Sequence, residues 1–302
     1  MIIKDIEKIV DNFEGDIFFD YEIKKLNWFN IGGKTRVFFR PNSLKDLIKF
    51  LKLYSNRGKI FILGSGSNVL FKDETYEGVI IKLGKQFSNI SLLNEKTIIA
   101  GGATSQKKLS EFAKERSISG LEFLSCIPGS IGGGIRMNSG CFDKEFKDIL
   151  VSIQVIDFNG MIKTISAENI DFQYRKVDLP KNIIFLSATF KGNKKNNIEI
   201  EKYMKELKIK KNKAQPSKIK TGGSTFKNPK DQTNKKVWQL INDSIPKGIN
   251  FGDAEISTKH SNFFVNKKNA NYTDMKKLID YVKNKVKDKT GININLEIVI
   301  VD

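Results

Sequence analysis

The chain has 302 residues, enough for two or three domains and a substantial core. Its hydrophobic content of 39% and charged content of 28% fit a soluble globular protein, and no stretch approaches the roughly 18 uncharged apolar residues of a membrane span. A net charge of +18 raises the possibility of a nucleic-acid binder, but only six of the 52 basic residues are Arg, and the lysines are scattered among Glu and Asp rather than gathered in a stripe. Such an excess attracts anionic substrates without reading bases. Two cysteines, Cys126 and Cys141, are too few for a disulfide framework or a zinc site and suit a reducing cytoplasm. Charges run through the first apolar positions, so no signal peptide is expected.

Apolar residues at Ile2, Ile6, Ile9, Val10 and Phe13 predict a helix over residues 2 to 13. Asn30-Ile31-Gly32-Gly33-Lys34-Thr35 has a P-loop ending, but that motif's first glycine would fall on Trp28. A strand is expected over Thr35 to Arg40, then a helix capped by Ser43, running through Leu53 and ending near Gly58. Ile60 to Leu63 reads as a strand feeding Gly64-Ser65-Gly66-Ser67-Asn68. The third glycine of a dinucleotide fingerprint would be Val69, so this is no Rossmann turn. Both an anion-binding turn and an ordinary Gly-Ser loop fit it.

Strands are expected over Gly78 to Leu83 and Thr97 to Ala100. A helix then starts at Thr104 or Ser105. Residues 120 to 145 hold six of the 23 glycines, among them the triplet Gly132-Gly133-Gly134 after Pro128-Gly129-Ser130. The stretch is apolar, unlike a linker. Either a flat ligand lies against bare backbone, or a tight turn packs on a strand. Asn159-Gly160 predicts a hairpin between Val151 to Phe158 and Met161 to Ile165. A strand over Ile183 to Phe190, a lysine-rich helix from Ile200 to Ala214, a helix from Thr273 to Lys289 and a strand from Leu296 to Val301 complete the pattern.

Seven stretches, in this order and spacing, resemble the UDP-N-acetylenolpyruvoylglucosamine reductase family (UDP-N-acetylmuramate dehydrogenases). They are Asn30-Ile31-Gly32-Gly33, Gly64 to Asn68, Gly120 through Gly140, Tyr174-Arg175, Gly223-Ser224-x-Phe-Lys-Asn-Pro, His260-x-Asn-Phe-x-Val-Asn and Glu297. The resemblance covers most of the chain. It implies an α+β fold: a two-subdomain FAD-binding part, like that of vanillyl-alcohol oxidase, followed by a third α+β substrate-binding domain. The expected division is 1–83, 84–195 and 196–302, with the last strand able to return to the FAD part. Non-covalent FAD is implied, held by Asn30, Gly32, Gly33, Gly64, Ser65, Gly66, Ser67, Asn68, Pro128, Gly129, Ser130, Gly132, Gly133, Asn138 and Gly140.

The implied reaction has two stages. NADPH reduces the flavin, whose N5 then delivers a hydride to the enol ether of UDP-N-acetylglucosamine enolpyruvate in peptidoglycan precursor synthesis. The resemblance gives Arg175 and Glu297 to the enolate and Ser224 to its protonation. Tyr174, Arg175, Lys227 and Asn228 are the implied substrate ligands. His260, a lone histidine, stays outside the catalytic set.

Only 48 residues separate Arg175 from Ser224, which resembles the shorter subclass without a tyrosine-bearing loop. Arg136 replaces a small or apolar residue of the family's flavin stretch; a cation there either eases flavin reduction or pairs with Asp143 or Glu145. A cytoplasmic monomer is expected, without membrane insertion or nucleic acid. An oxidase of the same fold acting on another substrate is the alternative. No histidine precedes His260, so a covalent flavin tether near Gly64 is not expected.

Overall fold

A computed structural model describes residues 6–7, 10–54 and 57–302. The helix expected over residues 2 to 13 lies partly outside them; within them Ile6 and Glu7 are helical and Val10–Asn12 is a 3-10 turn. The chain divides into two compact units. The first comprises 1–19, 36–65 and 77–211, the second 20–35, 66–76 and 212–302.

The first unit holds two cores. One forms around a four-stranded sheet in the order Asp16–Glu22, Lys34–Arg40, Tyr76–Ile81, Lys59–Ile62. The helix Leu44–Tyr54 buries Leu47, Phe50 and Leu51, and Phe50 stacks on Phe39 with ring centroids 4.2 Å apart. Lys59–Ile62 and Tyr76–Ile81 run parallel, as strands separated by a crossover must. The second core lies on a five-stranded antiparallel sheet in the order Ile162–Ser166, Leu150–Asp157, Ile183–Lys191, Thr97–Gly101, Ile90–Asn94. The Asn159-Gly160 turn is as expected: Gly160 takes φ +84°, and Asp157 Oδ1 accepts from the N–H groups of Asn159 and Met161 at 2.9 Å each. The helix Gln106–Glu115 starts where Ser105 Oγ accepts from Lys108 N, burying Leu109 and Ala113.

The glycine triplet forms an element that its composition argues against. Ile131–Arg136 is a short α-helix, although glycine is among the poorest helix formers. Ser130 caps it by accepting from Gly133 N at 3.3 Å. Ile131 N donates to Thr104 O at 2.8 Å and Gly132 N to Gly102 O at 2.9 Å, which pins its first turn beside the central sheet.

The second unit is built on Val237–Ser244 and Tyr272–Thr290, with Leu240, Ile241, Met275, Leu278 and Val282 inside. Phe29, Ile31 and Leu70 enter the same core from the two early segments. A three-stranded antiparallel sheet runs Asn250–Phe251, Ala254–Ile256, Phe264–Asn266. Val299–Val301 pairs parallel with Val69–Phe71. The last strand is shorter than expected: residues 297 and 298 bend instead, and the ladder begins at Val299. The reason is local. Glu297 N and Ile298 N both turn to Thr225 O, at 2.8 and 3.5 Å, so neither can start a ladder with the neighbouring strand. Glu297 therefore lies outside the strand that was expected to contain it.

Candidate active site

In the first unit Phe172–Gln173 pairs with Lys176–Val177, which makes Tyr174-Arg175 a two-residue hairpin turn. Arg175 takes φ +56°, a conformation that costs a residue with a Cβ about 1–2 kcal/mol. The side chain accompanies that strain with fixed contacts. Nη2 donates to Gly140 O at 2.7 Å, Nη1 donates to Asn138 O at 3.4 Å, and Glu145 Oε1 lies 3.8 Å from Nη1. The guanidinium also sits 5.1 Å from the Tyr174 ring centre. Two stretches 35 residues apart, both expected to be functional, are thus joined through this one side chain.

Asn138 is fully buried, with φ +39°. Its Nδ2 donates to Glu145 Oε2 at 3.0 Å and to Gln173 O at 3.1 Å, and its Oδ1 accepts from Lys147 N at 3.1 Å. Arg136 takes neither Asp143 nor Glu145. Nη1 donates to the carbonyls of Leu179 and Pro180 at 3.1 and 2.9 Å, Nη2 to Ile183 O at 3.4 Å, and the group lies 5.0 Å from the Phe185 ring centre. It closes the base of the loop whose tip carries Arg175.

The glycines of the short helix divide. A Cβ on Gly134 would meet Phe146 Cε2 at 2.5 Å, and one on Gly132 would meet Phe185 Cβ at 3.2 Å. Those two are small because the protein's own rings press on them. Gly133 is exposed, and a Cβ there would meet only Ser130 Oγ at 3.3 Å. A Cβ on Gly64 would reach the same hydroxyl at 2.5 Å. Gly64, Ser130 and Gly133 therefore form one bare face beside Ser65. Ser130 Oγ accepts from Gly133 N and keeps its own proton to donate. A face without side chains and with hydroxyl and amide donors fits the phosphates or the flat ring of FAD. Gly129 takes φ +141°, and its carbonyl accepts from Gln106 N at 3.0 Å, which holds Pro128 exposed at the edge.

In the second unit residues 220 to 227 thread between two segments. Thr221 Oγ1 donates to Phe264 O at 2.7 Å, Thr225 N to Asn262 O at 2.8 Å and Lys227 N to Asn295 O at 2.8 Å. Ser224 bridges to Phe263 and Phe226 to Leu296. Ser224 and Glu297 are thereby one residue removed from a common junction, since Glu297 N donates to Thr225 O. Gly223, at φ +81°, has nothing within 4 Å of where a Cβ would stand, so the backbone before Ser224 is bare. Asn228 Oδ1 accepts from Val237 N at 2.9 Å, at the start of a helix. Asn68 ties the early segment to the same place: Nδ2 donates to Glu297 O at 3.0 Å, and its carbonyl accepts from Val299 N. Asn30, at φ +56°, Gly32 and Gly33 lie in the same unit, where Gly33 N donates to Lys72 O at 3.1 Å. Gly66 N-terminally flanks Ser67, and its carbonyl accepts from Trp28 N at 2.9 Å.

Asn262 and Asn266, which the motif contains but to which no role was given, organise this unit. Asn262 accepts from Phe226 N at 3.0 Å and donates to Phe226 O at 2.8 Å; Asn266 Nδ2 donates to Phe29 O at 2.9 Å. Their spacing in the His260 motif was the available signal. Burial lowers the His260 pKa, and its Nδ1 accepts from Asn262 N at 3.2 Å, so a neutral ring protonated on Nε2 is the form present at pH 7.

Cys126 is buried, and Cys141 donates to Phe123 O at 3.3 Å. Burial pushes the Cys141 thiol up to about 12, with nearby Cys126 adding to the shift. Alkylation of Cys141 at pH 8 should therefore run about 10²–10³-fold slower in the folded protein than in urea, because only the thiolate reacts. The stability that this neutral thiol contributes is complete below the unfolded value near 9 and is lost as pH rises toward about 12.

Comparison with known proteins identifies the class first. Residues 35–166 match the model of an FAD binding domain. Residues 215–301 match the model described as UDP-N-acetylenolpyruvoylglucosamine reductase, C-terminal domain. The UDP-N-acetylenolpyruvoylglucosamine reductase of Pelagibacter ubique is 60% identical over 99% of both chains. That of Rickettsia bellii is 43% identical over 94% of this chain and 93% of its own. The crystal structure of the Thermus caldophilus UDP-N-acetylenolpyruvylglucosamine reductase superposes with a TM-score of 0.81 at 27% identity, covering 96% of this chain and 99% of that one. The chain is thus an FAD-binding α+β protein, and it belongs to the UDP-N-acetylenolpyruvoylglucosamine reductase family.

Proposed function

We propose that this protein reduces UDP-N-acetylglucosamine enolpyruvate to UDP-N-acetylmuramate with NADPH, in peptidoglycan precursor synthesis. The observation that supports the site assignment is the junction at Thr225, the residue after Ser224, whose carbonyl accepts from Glu297 N. Bound FAD supplies the chemistry of hydride transfer, from NADPH to the methylene carbon of the enol ether. Gly64, Ser65, Ser130 and Gly133 offer it a bare face, and the resemblance adds Pro128, Gly129, Gly132, Asn138 and Gly140 to the residues that would hold it. The family resemblance also adds Asn30, Gly32, Gly33, Gly66, Ser67 and Asn68; Gly32, Gly33 and Gly66 are themselves closely packed by Phe71, Asp73 and Leu26.

The chain's own residues handle the charge and the proton. Arg175 pairs with the substrate carboxylate, into which the negative charge of the enolate spreads. Glu297 offers that charge a second hydrogen bond, a donor role that a carboxyl fills only when protonated. Ser224 Oγ holds the proton that ends on the neighbouring carbon. Tyr174, Lys227 and Asn228 bind the nucleotide. We further read residues 1–83 and 84–195 as FAD-binding parts and 196–302 as the substrate domain; the pairing of Val299–Val301 with Val69–Phe71 supports a last strand that returns to the first part. The lysine excess draws in the anionic substrates rather than nucleic acid, and a cytoplasmic monomer is the state we assign. No helix among the described residues is long and apolar enough to cross a membrane.

The test is an anaerobic rapid-mixing spectrum. NADPH should bleach the flavin, and only the enolpyruvyl nucleotide should restore its colour. Bleaching without recovery would leave a flavoprotein with another substrate.

A further inference from the structure

We infer that Glu145 is a positioning residue for the reduction, acting through Arg175. This rests on Arg175 being the group that meets the substrate carboxylate. Glu145 lies outside every stretch expected to bind cofactor or substrate, yet its carboxylate stands beside that guanidinium. Glu145 Oε1 lies 3.8 Å from Arg175 Nη1, and the two side chains are only 20% and 15% exposed. The carboxylate is itself held. Its Oε2 accepts from Asn138 Nδ2 at 3.0 Å and stands 3.4 Å from Lys147 Nζ. The same Asn138 amide donates to Gln173 O at 3.1 Å, two residues before Arg175. Asn138 O and Gly140 O in turn accept from the guanidinium.

The contacts close a ring: the Gln173 backbone, the Asn138 amide, the Glu145 carboxylate, the Arg175 guanidinium and back along the hairpin. Gly140 faces Glu145 across the short pair Gly140–Cys141 and Lys144–Glu145. A Cβ on Gly140 would come within 2.8 Å of Glu145 Cγ, so the fit leaves no room for another residue there. Carbonyl contacts locate the tip of a long arm without fixing its plane. A fixed negative charge beside them sets the plane of the fork, and a bidentate carboxylate partner requires that plane. Glu145 also opposes part of the cation's charge, so removing it should not weaken substrate binding.

The experiment compares Glu145→Gln, Arg175→Lys and the double variant in the FAD-loaded enzyme. Gln keeps an acceptor for Asn138 and removes only the charge. Glu145→Gln is expected to lower kcat about tenfold, with KM within about twofold and the rate of flavin reduction by NADPH unchanged. In the Arg175→Lys background the same change should lower kcat by less than about twofold, because the group it orients is already lost. Should Glu145→Gln lower FAD content or the melting temperature, Glu145→Asp, which keeps the charge, serves as the second variant and should recover most of kcat. An unchanged kcat in Arg175→Lys would remove the catalytic assignment of Arg175 itself. A lowered kcat there, with Glu145→Gln either silent or fully additive, would overturn the inference for Glu145 alone. So would an Asp variant as slow as the Gln variant.

Discussion

Replacing Ser224 by Ala is expected to slow reoxidation of the flavin by the enolpyruvyl nucleotide by about 10²–10⁴-fold, the usual worth of a positioned proton donor. Reduction by NADPH should change by less than about twofold, since that half-reaction takes no proton from Ser224. The fold makes the comparison clean. Ser224 is held by a backbone bridge to Phe263, and its neighbour Thr225 is tied through main-chain groups to Asn262 and Glu297. Alanine keeps all of these. The two half-reactions are read separately by the flavin absorbance in rapid mixing. Equal slowing of both would show that the residue supports the site's shape and not its chemistry.

A second large effect is expected within the short glycine helix, where adjacent residues should behave oppositely. Gly134→Ala places a methyl 2.5 Å from a ring carbon of Phe146 and 2.8 Å from Gln106 Nε2, both in the buried interior. Overpacking of this kind costs about 1–3 kcal/mol and should lower the melting temperature of the apoprotein by several degrees. Gly133→Ala meets only the Ser130 hydroxyl. Alanine is favoured over glycine in a helix by about 1 kcal/mol, so the apoprotein should hold or gain stability. The methyl stands on the face assigned to the cofactor, however, and FAD affinity should fall. Apoprotein melting and FAD fluorescence titration measure the two quantities independently. Undiminished FAD affinity in Gly133→Ala would take that face out of the cofactor site.

These variants also mark what was legible in the sequence. The choice between a ligand and a tight turn at residues 132 to 134 could not be made from composition, because the three glycines have different surroundings. Phe146 and Phe185 account for two of the glycines, and Gly133 alone is left facing outward. No local signal distinguishes a glycine pressed by a ring from one left bare, since the ring comes from elsewhere in the chain. Elements with a strong period or a strong turn were readable. The Asn159-Gly160 hairpin and the helix Tyr272–Thr290 lie where expected to within a residue or two, and the helix Leu44–Tyr54 starts where Ser43 was expected to cap it but ends short of Gly58. Asp16–Glu22 and Val237–Ser244 were not read, the first because alternating acids and aromatics give only a weak pattern. Glu297 shows a further limit. Its apolar neighbours suggested a continuous strand, but a carbonyl at Thr225, 72 positions earlier, bends the chain there. Arg175 was legible as a residue type in its motif. Its left-handed turn and its anchoring to Asn138, Gly140 and Glu145 depend on a hairpin too short to announce itself.

The discontinuity of the second unit has a consequence for synthesis. The first unit's segments have all been made once residue 211 is added, so both of its cores can close before the second unit is complete. The segments 20–35 and 66–76 belong to a core whose remaining part is 212–302. At about 5–20 residues per second, making 212–302 alone takes roughly 5–20 seconds. During that interval Phe29, Ile31 and Leu70, all buried at the end, have no core to enter. Asn68 meets the Glu297 carbonyl only across 229 residues, a loop closure that comes late by necessity. The nascent chain therefore presents two short apolar segments on an otherwise folded body, the kind of surface that holdase chaperones take up.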